Sequence, residues 1–325
     1  MYPVLFQIDA KIAKAIGLLL TVFAVLTFIL VKKSLKKKGE TLATPFQLLF
    51  FIAAVTGILI FFGKHTHGYI IGSYGFMTAL GVFTGVFATY LIARKREEEP
   101  FKIVDILFLS ILCGFIGGRL LFVILFPAEF QNNYFKILQF SSGGFVYYGG
   151  LIGAIAGMIF FCYRSKIDFF KIADYGSIGL AIGHAFGRIG CFLGGCCYGR
   201  ECVSISGVSY PPDSPAWKKF FYEGHIMSYE STPSLHAVQL YESSFNLILF
   251  GLLLYIFYKR MPFIGLITAA YLLGYGTIRM ITEFFRGDRI PQGFPSTAQI
   301  ISFFILAAGI TVYIITRKKM DLNHE

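Results

Sequence analysis

Residues 103–126 read IVDILFLSILCGFIGGRLLFVILF, an apolar run interrupted by one acid, Asp105, and one base, Arg119. An α-helix rises 1.5 Å per residue, so about 20 such residues cross the roughly 30 Å hydrocarbon core of a bilayer. Working outward, comparable stretches lie at about 12–31, 46–62, 70–92, 144–162, 172–190, 241–258, 263–284 and 298–316. Backbone groups in lipid must bond within the chain, which makes helices the spanning form for runs of this kind. Of 325 residues, 56% are hydrophobic and only 14% charged, with mean hydropathy +0.67. Soluble domains carry roughly a quarter charged residues, so this chain has too little polar surface to cover itself in water. A soluble enzyme, a disordered linker and a nucleic-acid module are excluded. The expected fold is an all-α polytopic membrane protein of about nine transmembrane helices.

Charge placement orients these spans. The net charge of +11 comes from 29 Lys and Arg against 18 Asp and Glu. With the N-terminus outside and the C-terminus inside, the inward segments hold Lys32 to Lys38, Arg94 to Lys102, Arg164 to Lys171, Lys259-Arg260 and Arg317 to Lys319. These carry most of the basic residues, as the positive-inside rule requires. Residues 1–31 resemble a signal peptide in having Lys11 and Lys14 before an apolar run. That run ends at Lys32-Lys33 with no small-x-small cleavage site, so a retained span is expected. The main outside segment is 191–240, rich in Gly, Pro and Ser, with a short helix expected around Pro215–Tyr222. Asp105 and Asp174 stand near inward helix starts, where capping is the expected role.

Charges at membrane depth are costly and need a reason. Arg279, Glu283 and Arg286 recur at i, i+4 and i+7, on one helical face. They form either an internal ion pair or an anionic-headgroup site in which Glu283 orients an Arg. Arg119 and Arg188 lie late in outward-running spans beside glycines that permit close helix packing. All four guanidiniums are therefore expected at one membrane depth. The segment from Pro233 to Glu242 gathers His236, Gln239, Tyr241 and Glu242 at the outer edge. An imidazole of ordinary pKa about 6.5 makes His236 a candidate base, with Gln239 and Tyr241 as candidate substrate contacts. A structural histidine is the competing reading. Tyr74 and Tyr148 stand among glycines near the outer ends of their spans, as lipid contacts or interfacial aromatics.

Four of six cysteines, Cys191, Cys196, Cys197 and Cys202, fall within twelve positions. An outside location permits a disulfide joining Cys196 or Cys197 to Cys191 or Cys202. A thiolate metal site, a redox thiol and simple packing are the other readings. No H-E-x-x-H or C-x-x-C spacing is present, and no metal or cofactor is expected.

Together these residues resemble the prolipoprotein diacylglyceryl transferase family, over about Ile70 to Lys318. The family's G-R-x-G-N-F-x-N-x-E is similar to Gly187 through Cys196, and its Tyr-Gly and Gly-Gly-Arg to Tyr74-Gly75 and Gly117-Gly118-Arg119. Its H-G-G-L-I-G resembles Tyr148 through Gly153, and its H-P-x-Q-L-Y-E resembles His236 through Glu242. Its Y-G-x-x-R-x-x-x-E-F-x-R corresponds to Tyr275 through Arg286. Residues 1–69 would then be an extension with two spans, and 70–325 the family domain. The resemblance implies a bacterial inner-membrane enzyme, its site facing the periplasm or exterior. Such an enzyme moves the diacylglyceryl group of phosphatidylglycerol onto the lipobox cysteine of a prolipoprotein, forms a thioether and releases glycerol phosphate. Its partners are phosphatidylglycerol, the prolipoprotein and membrane lipids, with no nucleic acid.

The resemblance further implies that Arg188 and Arg279 serve the headgroup or its developing charge. Arg119, Glu283 and Arg286 support them, and Tyr74 lines the lipid cavity. Fixed guanidinium donors favour a phosphate that gains charge as its ester bond breaks. The sequence departs from the family pattern at Tyr148, where the family has a catalytic His, and at Cys191, Gly194 and Cys196, where it has Asn, Asn and Glu. Tyrosine is a poor base near neutrality, which directs attention to His236. Two alternatives follow from these departures. One is a relative acting on another phospholipid or acceptor, and the other is a membrane thiol oxidoreductase built on Cys191 to Cys202. Loss of activity in a variant lacking all four cysteines would favour the oxidoreductase.

Overall fold

A computed structural model describes residues 4–8, 69–130, 137, 144–203, 207–259, 263–288 and 295–322. Among the described residues the chain is all-α apart from short strand pairs. In order, the elements are β1 (Val4–Ile8), β2 (Tyr69–Gly72), α1 (Ser73–Lys95), α2 (Pro100–Leu125), a 3-10 turn (Pro127–Phe130), α3 (Tyr147–Ser165) and α4 (Phe169–Gly194). There follow β3 (Gly207–Val208), α5 (Pro215–Tyr222), β4 (Leu235–His236), α6 (Val238–Lys259), α7 (Leu266–Glu283) and α8 (Thr297–Leu322). Among the described residues, α1, α2, α4, α6 and α8 are long and apolar enough to cross a membrane. Their large apolar side chains point outward, including Phe83 and Phe87 of α1 and Phe303 and Phe304 of α8. Contiguous apolar surface on that scale is what a lipid-facing helix presents. The expected spans at 12–31 and 46–62 lie outside the described residues.

The chain divides into two compact units, one of residues 1–88 and 177–325 and the other of residues 89–176. In the smaller unit α2 and α3 are in close contact because their shared face is glycine. A Cβ on Gly117 would come within 2.5 Å of the Gly149 carbonyl, and one on Gly153 equally close to that of Cys113. Asp168 accepts from the backbone N–H groups of Phe170 (2.8 Å) and Lys171, closing the start of α4. This corrects the expectation for Asp105 and Asp174, which lie inside α2 and α4, past the uncapped first-turn amides. Asp174 is fully buried there.

In the larger unit α7 packs against both α6 and α8, and Ser243 of α6 donates to the Ala185 carbonyl of α4 at 3.0 Å. The segment after α4 has its own small core of Tyr198, Tyr210, Ala216 and Leu235, with Phe220 packed against it. Helix α5 occupies the expected residues because Ser214 accepts from Trp217 N–H at 3.1 Å and Pro215 fits the first turn. Strands β3 and β4 pair antiparallel, Val208 with Leu235.

Candidate active site

Three arginines from two helices and the turn after one of them meet on a single buried carboxylate. Glu242, in the first turns of α6, is 1% exposed. Its Oε2 forms an ion pair with Arg188 Nε of α4 at 2.5 Å, and its Oε1 accepts from Arg279 Nη1 of α7 at 2.7 Å. Thr282 Oγ1 donates to the same Oε1 at 3.1 Å, and Arg286 Nη1 stands 3.9 Å away. Arg279 Nη2 also lies 3.6 Å from Glu283 Oε2, while Arg286 makes a bidentate pair with Asp288 at 2.9 and 2.6 Å. Three guanidiniums are thus matched by three carboxylates. A buried charge requires such pairing, and bidentate or charge-assisted bonds are its strongest form.

The pairing leaves one arginine open. Arg188 uses Nε on Glu242, and among the described residues its two terminal amino groups carry no further bond. Its side chain is 21% exposed, against 13% for Arg279 and 7% for Arg286. Glu242 therefore meets this guanidinium through Nε, leaving its two terminal amino groups without a hydrogen bond to a described residue. The fork they form suits a phosphate or another oxyanion.

Backbone pairing brings Arg286 to this place. Arg200 N–H donates to the Phe285 carbonyl at 2.8 Å, and Gly287 N–H to the Tyr198 carbonyl at 3.2 Å. These bonds lay the chain after α7 along the chain after α4. Gly199 has to be glycine, since a Cβ there would come within 2.5 Å of His236 Cβ and its carbonyl oxygen. Lys219 Nζ and Arg200 Nε add bonds to the carbonyls of Gly287 and Arg286.

Gathered with this hub are the expected Arg188, Arg279, Glu283 and Arg286. Tyr74 lies over the end of α4, with its Cα 3.3 Å from where a Gly190 Cβ would stand. Its ring is half exposed. His236 Nδ1 is 3.3 Å from the Tyr241 hydroxyl, and Phe285 meets the imidazole edge-on at 5.4 Å. Gln239 is fully buried and donates to the Cys196 carbonyl at 2.7 Å and to the Tyr210 hydroxyl at 2.9 Å. Burial pushes the Tyr210 phenol up to about 12, partly opposed by the bond to Gln239, so it stays a neutral partner at physiological pH.

Arg119 and Tyr148 belong to the smaller unit. Arg119 donates from Nε to the Ile137 carbonyl and from Nη1 to the Gly144 carbonyl, both at 3.0 Å, and lies over the Phe122 and Phe130 rings. Tyr148 is half exposed in the first turn of α3 and meets Tyr147 edge-on.

All six cysteines carry free thiols. The sulfurs of Cys191, Cys196 and Cys197 lie within 4.8 Å of one another, whereas buried Cys202 is outside that trio. Hydrogen bonds from the Cys191 and Cys196 thiols hold Cys197 far below the usual thiol range, and Arg286 and Arg188 act in the same direction.

Sequence reasoning placed Glu242 in the outer-edge segment but gave it no role. Its signal was present, as an acid at the start of an apolar span with no base three or four positions away. Asp288 was likewise given no role, being two residues from its partner across a turn.

Ionisable groups buried at the ends of apolar helices mark a functional site, and an arginine with unengaged terminal nitrogens suits an anionic ligand there. Comparison with known proteins makes this specific: residues 64–315 match the family model for prolipoprotein diacylglyceryl transferase, and the chain belongs to that family. A phosphatidylglycerol–prolipoprotein diacylglyceryl transferase 2 of Clostridium perfringens is 33% identical over 256 residues, which cover 78% of this chain and 93% of the relative. The corresponding protein of Clostridium tetani is 34% identical over 253 residues, 77% of this chain and 95% of its own. That of Treponema denticola is 34% identical over 264 residues, covering 73% and 76%.

Proposed function

We propose that the chain transfers the diacylglyceryl group of phosphatidylglycerol to the lipobox cysteine of a prolipoprotein. The acceptor thiol gives up its proton and its sulfur bonds to the terminal glyceryl carbon. The bond from that carbon to the phosphate oxygen breaks, its electron pair stays on oxygen, and glycerol phosphate leaves. The observation that carries this reading is the open fork of Arg188, fixed by Glu242 within the region matched by the family. A donor already oriented for the leaving phosphate stabilises the charge that develops there without reorganising. Arg279 and Arg286 supply further field at the same carboxylate.

The remaining roles follow from the resemblance to the family. Tyr74 lines the lipid cavity, Arg119 and Tyr148 are further site residues, and His236 with Tyr241 forms a proton-accepting pair. The chain has nine spans with its N-terminus out and C-terminus in. This rests on the two additional apolar stretches at 12–31 and 46–62 and on the basic inward segments. It places the arginine hub on the outer side of a bacterial inner membrane.

The test uses the full chain in detergent or vesicles with phosphatidylglycerol and a lipobox peptide containing one cysteine. Mass analysis should show the diacylglyceryl adduct on that cysteine and equimolar release of glycerol phosphate. Adduct formation from another phospholipid in place of phosphatidylglycerol would show a diverged donor. Absence of adduct with any phospholipid would refute the reading.

A further inference from the structure

The cysteine trio is unused by the chemistry derived above. Cys191 lies in the last turn of α4, while Cys196 and Cys197 follow the helix end. The turn that brings them back is locked, since Cys196 N–H donates to the Cys191 carbonyl at 3.1 Å and Gly195 N–H to that of Phe192 at 3.1 Å. Gln239 grips the Cys196 carbonyl from α6. Cys197 is held at φ +60, in the left-handed region that costs a side-chain-bearing residue about 1–2 kcal/mol. The fold tolerates that strain, and the outcome is three sulfurs converging within 4.8 Å of one another.

A disulfide would use two of these sulfurs, at about 2.05 Å, and leave the third without purpose. A soft cation uses all three. Zinc–thiolate bonds are about 2.3 Å, which puts sulfurs around one tetrahedral ion about 3.8 Å apart, so each sulfur would move by less than about 1 Å. Among the described residues no fourth His, Cys, Asp or Glu atom joins the group. Structural zinc sites are closed by four protein ligands, whereas three ligands and one open position mark sites that bind a reactant.

We infer that Cys191, Cys196 and Cys197 form a three-thiolate zinc site whose open position takes the acceptor cysteine thiol. This rests on the transferase reading and moves the activation of the nucleophile from the His236–Tyr241 pair to the metal. A thiol bound to zinc loses its proton to water and remains a nucleophile at neutral pH. That bound sulfur attacks the glyceryl carbon, the carbon–oxygen bond breaks towards phosphate, and the thioether then leaves the metal. Position supports the assignment: Cys191 lies one turn after Arg188 in α4, and Gly199, two residues past Cys197, pairs with Arg286. The ion would thus hold the thiol beside the guanidiniums that receive the phosphate, while their charge offsets the anionic thiolate set.

The experiment takes the full chain purified under reducing, anaerobic conditions. Zinc content is measured after loading and dialysis, with cobalt as a spectroscopic substitute. One zinc per chain should be retained, be lost in Cys197→Ser and in the triple Cys191→Ser, Cys196→Ser, Cys197→Ser variant, and persist in Cys202→Ala. The cobalt form should show a three-thiolate charge-transfer band that grows on adding a lipobox peptide with cysteine, and stays unchanged with the serine peptide. Because a variant can fail by misfolding, wild-type protein is also stripped with a chelator. Transfer should fall by about 100-fold or more, as loss of an activating base does, and return with zinc. Full transfer by zinc-free protein overturns the inference and leaves the transferase reading standing. So does zinc retention in the triple variant, or a native disulfide within the trio. The zinc and cobalt signatures without transfer from any phospholipid would instead support the metal site and refute the transferase reading.

Discussion

Glu242→Gln should disable this protein more than any other single isosteric change. The carboxylate is almost wholly buried, with ion pairs to Arg188 at 2.5 Å, Arg279 at 2.7 Å and Arg286 at 3.9 Å. Gln keeps the shape but removes the charge, so three guanidiniums remain against Glu283 and Asp288. Removing one partner of a buried pair typically costs about 3–5 kcal/mol, because the other charge is left uncompensated. Repulsion is relieved most easily by Arg188, the most exposed of the three. Its fork then leaves the direction that Glu242 imposed. Losing an oriented donor to a developing oxyanion costs about 10²–10³ in kcat. The assay is the initial rate of diacylglyceryl transfer against phosphatidylglycerol concentration, alongside thermal unfolding in the same detergent. The variant should melt lower and lose kcat with little change in KM, since positive charge remains to attract the lipid. Glu242→Asp, which keeps the charge but withdraws it by one methylene, should recover more stability than rate. Wild-type melting and rate in Glu242→Gln would refute the hub as the organiser of the site.

Other changes separate packing from chemistry. Gln239→Leu removes the buried bonds to Cys196 and Tyr210 and should cost about 1–3 kcal/mol in unfolding measurements. The KM for lipid should not change, and a raised KM with normal stability would make Gln239 a substrate contact. Gly149→Ala places a methyl group within 2.5 Å of the Gly117 carbonyl. It should cost about 1–3 kcal/mol by forcing α2 and α3 apart, and unchanged melting would contradict the glycine interface. His236→Gln tests the imidazole as a base: if zinc activates the thiol, the pH–rate profile of the variant keeps the wild-type shape. A loss of about 100-fold confined to the rate would return the proton-accepting role to His236.

How far the sequence could be read follows from the range of the interactions. Apolar length is a local property, and the stretches expected at 70–92 and 298–316 became α1 and α8 with ends moved by only a few residues. Helix α5 was legible from Ser214 and Pro215 for the same reason. The i, i+4 relation of Arg279 and Glu283 was equally local, yet it proved the weaker contact at 3.6 Å. The stronger partner, Glu242, is 37 residues from Arg279 and 54 from Arg188 in the chain. Only the packing of α6 between them creates that contact. Asp168 rather than Asp174 closes α4 because the helix begins earlier than its apolar run. The approach of Arg286 to Gly199 depends on backbone bonds between two irregular segments, for which no periodicity exists to be read.

The claim on which the account depends is that a lipid phosphate lies in the fork of Arg188 while Glu242 holds that arginine through Nε. A structure of the full chain with phosphatidylglycerol bound measures this directly. The account predicts phosphate oxygens at about 2.7–2.9 Å from the Arg188 terminal nitrogens, with Nε still on Glu242. A headgroup seated elsewhere, with Arg188 turned towards the opposite leaflet, would contradict it.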